Sequence, residues 1–339
     1  MVGAGRRARQ TILPAIHSSS EWVDLVGVCT RTPRELELLG GRFKTFTSLL
    51  ADIDLADVDA VVVAVPLPAV PEVLARLKEH PAPGPTLMLD TPGLAPSDLK
   101  ATRGFTHFRA VLASEDNFAL PLYVQARRLL DDGRIGRLRR IHMLHSGYRH
   151  HAIAALKQLT GARHPRRVAI HRWNRWCSDI HMTFPGGVQA LIVEPRRYEI
   201  GRTTIIGSNG FITDYPIDHP KATRIGYHMA DGRYVGLTVD EEPVPLSALD
   251  DAFASGLRDA PLEDPSAMSQ MKIRGFMDLL AALPDATLPF RYPISDAIAD
   301  DLVIRFAERL PFAVPGSPRL LRPATRVLAP FVRPGGDEG

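Results

Sequence analysis

Apolar positions in the first third of the chain fall into short continuous runs separated by stretches of helical spacing. Val58 to Val65 (VDAVVVAV) is nearly unbroken in valine and alanine, as expected of a strand buried on both faces. Trp22 to Cys29 (WVDLVGVC), Thr86 to Asp90 (TLMLD) and Ala110 to Ser114 read as further buried strands. Helices are predicted over Arg6 to Ile16, from the turn Thr30-Arg31-Thr32-Pro33 onward, and over Val70 to Glu79. Strand and helix alternating in this order predict a parallel, doubly wound sheet.

Around Ser114 the pattern changes. Leu122, Ala126, Leu129 and Leu130 recur at helical spacing between Pro121, suited to a helix start, and Gly133, suited to its stop. Arg139 to Ser146 reads as a strand and Ala152 to Leu159 as a helix ended by Gly161. Alternation then dominates in Val168 to Trp173, His181 to Phe184, Val188 to Val193, Thr203 to Ile206, Phe211 to Asp214, Ile225 to Met229 and Tyr234 to Val239. Such runs, separated by Gly, Pro, Asn or Asp turns, predict an open, mostly antiparallel sheet. Helices over Met268 to Ala282 and Ser295 to Leu310 close the fold. The predicted class is α/β followed by α+β, with units at 1–115 and 116–310, the late helices packing back on the first. Residues 311–339 are expected to form an arm on the surface or on a partner, its last residues disordered.

Composition narrows the function classes. The chain has 339 residues, 45% apolar and 23% charged, and its 41 Lys and Arg exceed its 38 Asp and Glu by only 3. No block of like charge suggests a nucleic-acid or anionic-membrane surface. No apolar run is long enough to span a bilayer and the first residues lack a signal-peptide pattern, so a cytoplasmic protein acting on a small molecule is expected. Cys29 and Cys177 form neither a disulfide framework nor a metal quartet and read as packing residues.

The chemistry starts at residue 3. Gly3-Ala4-Gly5-Arg6-Arg7-Ala8 has the form G-x-G-x-x-A: two glycines allow a tight turn against a pyrophosphate, and a small third residue allows close helix packing. Gly3, Gly5, Arg6 and Ala8 are therefore cofactor-binding candidates, with Pro66 after the valine-rich strand. The strand expected before the fingerprint comprises only Met1 and Val2; either the true start lies upstream or the central strand is unusually short. Thr30 and Arg31 stand where a carboxylate would bond an adenosine ribose hydroxyl, which favours NADP, with NAD the alternative.

On these residues, together with Asp59 to Pro66, Gly133-Arg134-Ile135-Gly136, the helix His151 to Gly161 and Gly207-Ser208-Asn209-Gly210, the chain resembles the glucose-fructose oxidoreductase and inositol dehydrogenase (Gfo/Idh/MocA) family from Gly3 to about Leu310. The resemblance implies an N-terminal Rossmann domain, an NAD or NADP cofactor, and a C-terminal open sheet with a substrate site on one side and a homodimer or homotetramer interface on the other. It also implies two departures. Where the family carries Glu-Lys-Pro this chain reads Asp90-Thr91-Pro92, and where it carries Asp-x-x-x-His the histidine falls on His151 and the aspartate on Gly147. The histidine is kept without its family partner.

An alcohol gives up hydride readily only when a base takes its proton, helped by a cation near the alkoxide. With Thr91 neutral, reduction of an imine, carbonyl or conjugated small molecule is expected rather than sugar oxidation, as in similar relatives that replace the lysine and reduce cyclic imines or tetrapyrroles. His151, Tyr148 and Thr91 are the catalytic candidates; Arg149 and His150 are candidates for holding substrate. The alternative is a non-redox descendant, a lyase, cyclase or binding protein. A zinc site among His142, His145, His150 and His151 is disfavoured, since on a strand His142 and His145 face opposite ways and no cysteine or carboxylate stands at ligand spacing. Trp173 and Trp176 read as core or interface residues more readily than as a substrate pocket.

Overall fold

The computed structural model describes residues 1–32, 35–38, 41–44, 55, 58–79, 84–95, 98, 105–147, 149–197, 201–258, 261–284, 291–309 and 314–315. The chain enters at Val2, which bridges in parallel to Val63 on one side and to Cys29 on the other. A helical run over 6–18 follows, wound as a π-helix over Ala8–Ile12 and as α1 over Leu13–Ser18. Strands β1 (Glu35–Leu38) and β2 (Gly41–Lys44) form an antiparallel hairpin. The parallel sheet consists of β3 (Ala60–Val63), β4 (Thr86–Asp90) and β5 (Val111–Ser114), with α2 (Val70–Leu77) between the first two.

Two sequence expectations fail here. The helix expected after Thr30 is the β1–β2 hairpin; Glu35-Leu36-Glu37-Leu38 alternates with period two, and that local pattern prevails over the α/β rhythm. Trp22 to Cys29 forms no strand and is bridged only at Cys29, to Val2.

The second half runs α3 (Pro121–Asp131), β6 (Leu138–Leu144), α4 (Arg149–Thr160), β7 (Arg167–Arg172), β8 (Ser178–Thr183), β9 (Gln189–Val193), β10 (Arg202–Gly207), β11 (Phe211–Thr213), β12 (Ala222–Ala230), β13 (Arg233–Val239), β14 (Glu242–Pro243), α5 (Ala248–Leu257), α6 (Ala267–Ala281), α7 (Ile294–Arg309) and β15 (Val314–Pro315). Its sheet has the order β14-β13-β12-β11-β10-β6-β9-β8-β7-β15. It is mostly antiparallel, with parallel pairs at β6–β9 and β11–β12. Helix α5 was not expected; its start is a capping box in which Ser247 and Asp250 each bond the other's backbone. Of the expected arm, Val314–Pro315 pairs with β7 and the remainder lies outside the described residues. Among the described residues no helix is long and apolar enough to cross a membrane.

Two apolar cores hold these layers. One joins Ile12 and Ile16 of the first helical run to Met271 and Phe276 of α6, Leu156 of α4 and Ile141 and Ile192 of the large sheet. The other lies behind the parallel sheet, where Val61, Val63 and Leu89 meet Leu74 of α2 and Ile298 of α7. A buried ionic knot ties α4 to α7: Lys157 Nζ lies 2.7 Å from Asp300 Oδ2 and donates to Tyr292 Oη at 3.1 Å, each partner of the ion pair being 3% exposed. Burial raises the Asp300 carboxyl to about 6, against the facing lysine. Because removing one partner strands a buried charge, Lys157→Met should lower stability by about 3–5 kcal/mol in urea unfolding at neutral pH, and Lys157→Met with Asp300→Leu should recover most of that loss.

Candidate functional site

The cofactor edge is set by how Val2 is clamped. Its N–H donates to Val62 O at 2.8 Å and the Gly3 N–H to Cys29 O at 2.9 Å, which drives the chain to the carboxyl edge of the sheet before it can turn. Gly3 then takes φ +97°, and a Cβ there would stand 2.2 Å from the Ala64 carbonyl oxygen. Only glycine meets both demands. A Cβ on Gly5 would meet nothing within 4 Å, so the backbone is open where the helical run begins, the place for a pyrophosphate. Ala8 is fully buried and lets the helix lie close to the sheet. Arg6 is exposed and bonds Gln10, and Pro66 is exposed just beyond β3. Thr30 turns its hydroxyl onto Thr32 O at 2.7 Å, and Arg31 is exposed beside it with no carboxylate at either position. These residues fit a dinucleotide.

At the same edge β4 and β5 end in a compact polar cluster. The Ser114 hydroxyl donates to Asp90 Oδ1 at 2.8 Å, and Thr91 Oγ1 donates to the Ser114 carbonyl at 3.3 Å. Arg7, reaching down from the glycine turn, places Nε 3.3 Å from Asp90 Oδ1 and Nη1 2.9 Å from Asp116 Oδ2. Burial opposes both charges, yet each holds the other: the guanidinium stays above its ordinary value, and the Asp116 carboxyl is brought down to about 2, chiefly by Arg7 and then by Lys272 of α6.

His151 completes the cluster from the first turn of α4. Its Nδ1 lies 2.7 Å and 3.0 Å from the two carboxylate oxygens of Glu115, whose side chain is 1% exposed. Burial opposes ionisation of Glu115, but the facing imidazole outweighs it and the carboxyl lies below its ordinary range. An ionised Glu115 accepts the Nδ1 proton, which assigns proton exchange with a ligand to Nε2. This corrects the reading that His151 lacks an acidic partner. The partner comes from the end of β5, not from the position of Gly147. Glu115 and Asp116 at the carboxyl end of a parallel strand were the available signal, since ligands of open α/β sheets gather there.

The neighbouring candidates separate. The His150 ring lies tilted against that of His151, 4.2 Å between centroids; burial, then the charge of His151, lowers its pKa to about 4, so it is neutral at physiological pH. Arg149 does not face a substrate carboxylate: Nε bonds both oxygens of Glu194 at 2.8 and 2.7 Å, and Nη1 pairs with Glu308. Tyr148 lies outside the described residues. Trp173 and Trp176 are neither core nor pocket, being 65% and 69% exposed at the β7–β8 turn. Glu115, Asp116 and His151 bring ligand atoms within 4.8 Å of one another, but Arg7 already neutralises Asp116 and a cation there would displace it.

No protein-family model matches the chain, and no curated protein matches its sequence. Solved structures do match. The myo-inositol 2-dehydrogenase from Lactobacillus plantarum is similar at 15% identity and TM-score 0.57, over 93% of this chain and 97% of that one. An oxidoreductase from Agrobacterium radiobacter in complex with NAD+, L-tartaric acid and magnesium is similar at 13% identity and TM-score 0.60, over 93% and 97%. The WlbA dehydrogenase from Bordetella pertussis in complex with NADH and UDP-GlcNAcA is similar at 16% identity and TM-score 0.58, over 93% and 96%. These likenesses show the fold: the chain has the two-sheet architecture expected from the Gfo/Idh/MocA resemblance.

The Arg7–Asp116 pair makes acid sensitivity a test of the cluster. A carboxyl lowered from 3.8 to about 2 contributes stability above its unfolded pKa and loses it as pH falls through the folded one. Wild type should therefore be more stable than Asp116→Asn at neutral pH, and unfolding curves should show the gap closing between about pH 4 and pH 2.

Proposed function

We propose that the protein is an NAD(P)H-dependent oxidoreductase of Gfo/Idh/MocA type that reduces a small imine, carbonyl or conjugated compound. The Glu115–His151 pair carries the reading, being set at the carboxyl edge of β5 and joined through Asp116 and Arg7 to the glycine turn. Bound nicotinamide supplies the hydride in such chemistry. The chain's own part is the proton. His151 Nε2 gives it to the oxygen, nitrogen or carbon that gains electron density when hydride reaches the acceptor carbon. Glu115 keeps the ring oriented through Nδ1, so that the proton passes at Nε2. Thr91, whose hydroxyl proton goes to the Ser114 carbonyl, brings no charge to this edge, which suits an already polarised acceptor better than an alkoxide.

The structural neighbours include complexes with NAD+ and NADH, in support of a nicotinamide cofactor, and the absence of a carboxylate at Thr30 and Arg31 favours the phosphorylated form. For assembly, the outer face of the large sheet carries exposed Leu144 beside half-buried Leu191 and Val193, which supports pairing of copies through that face as a homodimer or homotetramer.

NADPH should quench intrinsic fluorescence at lower concentration than NADH, and Arg31→Ala should bring the two affinities together; failure of both nucleotides to bind would overturn the reading. In NADPH oxidation assays over a panel of cyclic imines and carbonyls, His151→Ala should lower turnover roughly a hundredfold or more while leaving NADPH affinity nearly unchanged. Normal turnover in that variant would remove His151 from the chemistry.

A further inference from the structure

The face of the large sheet that packs with α4 and α6 is apolar along β10, β11 and β12, where Ile205, Ile212 and Ile225 belong to the larger core. Residues two apart on a strand share a face. Thr203, Asp214 and Tyr227 therefore continue this face, and toward one end of the sheet they put polar groups where the isoleucines stood. It is the end from which α4 departs. β6 stops at Leu144, and the chain passes Ser146 and Gly147 into α4, whose first turn carries His151. β10 begins against the same turn, since a Cβ on Gly201 would stand 3.1 Å from Ser146 Cα and 3.2 Å from His145 O.

The polar groups gathered there are unanswered. The half-buried Asp214 carboxyl accepts the Thr203 N–H at Oδ1, 2.8 Å away, and its Oδ2 has no partner among the described residues. Arg202, whose charge acts on this carboxyl, makes no ion pair with it: its Nη1 donates to the Gly201 carbonyl at 2.6 Å and its guanidinium lies over the Tyr215 ring. The hydroxyls of Thr203 and Ser146, residues 3% and 7% exposed, find no hydrogen-bond partner among the described residues. Nor does the Tyr227 hydroxyl, on a side chain 37% exposed and so reachable from outside. Burial pushes the Asp214 carboxyl up to about 6, and burial and then the Asp214 charge raise the Tyr227 hydroxyl above its ordinary value. A partly desolvated carboxylate without a counter-ion is costly, and nothing that Asp214 holds in the fold requires the charge, because an amide oxygen would accept the same Thr203 N–H.

We propose that Asp214 and Tyr227 form a second recognition point of the His151 site and take an ammonium group of the substrate, remote from the bond that is reduced. This deepens the oxidoreductase reading, on which the substrate class rests: a small imine, carbonyl or conjugated compound that also carries an amine. Asp214 Oδ2 accepts one N–H of the ammonium and supplies the counter-charge, and the Tyr227 oxygen accepts a second. A neutral hydroxyl in that place would leave the carboxylate uncompensated, and a carboxylate would be repelled. Strands of a sheet stand about 4.8 Å apart, so Asp214, two strands from β6, is set roughly 10 Å from the line of β6. One small molecule spans that separation.

The test compares cyclohexylammonium with cyclohexanol, which match in shape and differ in charge, by titration of the isotopically labelled full chain at pH 8 with and without NADPH. The ammonium should bind about tenfold or more tightly than the alcohol, Asp214→Asn should abolish that preference, and Tyr227→Phe should reduce it about threefold. A carboxyl that folding raises from 3.8 to about 6 costs stability above that range and ceases to do so as pH falls below it, so Asp214→Asn should have a Tm equal to or above that of wild type at pH 8. Equal affinity for the two probes, binding of neither, or a preference that survives Asp214→Asn would overturn the proposal. So would a lower Tm for Asp214→Asn at pH 8, which would make the carboxylate a structural group. The readouts are binding and Tm, so failure here leaves the hydride chemistry standing, and failure of both nucleotides to bind leaves the charge preference measurable.

Discussion

The site depends on the neutralisation of two adjacent buried carboxylates. Glu115 and Asp116 follow β5 directly and are almost wholly removed from water, so unpaired they would repel one another and protonate. Arg7 answers one and His151 the other. The first pair runs to the glycine turn and the second to the first turn of α4, so the charges that must be balanced also bring together residues far apart in sequence. The nucleotide edge, the ends of β4 and β5 and the first helix of the second half are thereby fixed to one another, and His151 is oriented by the same contact.

Much of this fold is legible in the sequence, because strands buried on both faces and helices with an apolar stripe carry strong periodicity. Ala60–Val63, Thr86–Asp90, Pro121–Asp131 and the strands of the large sheet were readable in this way. The failures have local causes. The β1–β2 hairpin has a period-two signal too short to compete with the expectation of a helix. The ladder beside Cys29 depends on a neighbouring strand, which no pattern within Trp22 to Cys29 encodes. Parallel pairing of β6 with β9 is set by tertiary order, not by either strand's own alternation.

The site was legible in part. Gly3, Gly5, Ala8 and His151 could be placed from spacing and resemblance. Arg149 could not, because a guanidinium beside a candidate histidine reads alike whether it awaits a ligand or is held by Glu194 and Glu308. Arg7 was hidden because it occupies a variable position of the fingerprint. Replacement of the expected aspartate by Gly147 concealed a compensation: the acid facing His151 is Glu115, 36 residues earlier in the chain. A lost motif position is therefore a weaker sign of lost chemistry than the sequence suggests when another strand end can supply the group.

The proposed reaction requires the His151 ring to stand against the nicotinamide of a bound nucleotide, and the most direct measurement is that contact itself. In the NADPH complex of isotopically labelled protein, nuclear Overhauser effects between the His151 ring protons and the nicotinamide C4 protons should be observed, and should be absent in His151→Ala. Nicotinamide protons that see only other side chains, in a complex where the adenine end is bound, would contradict it.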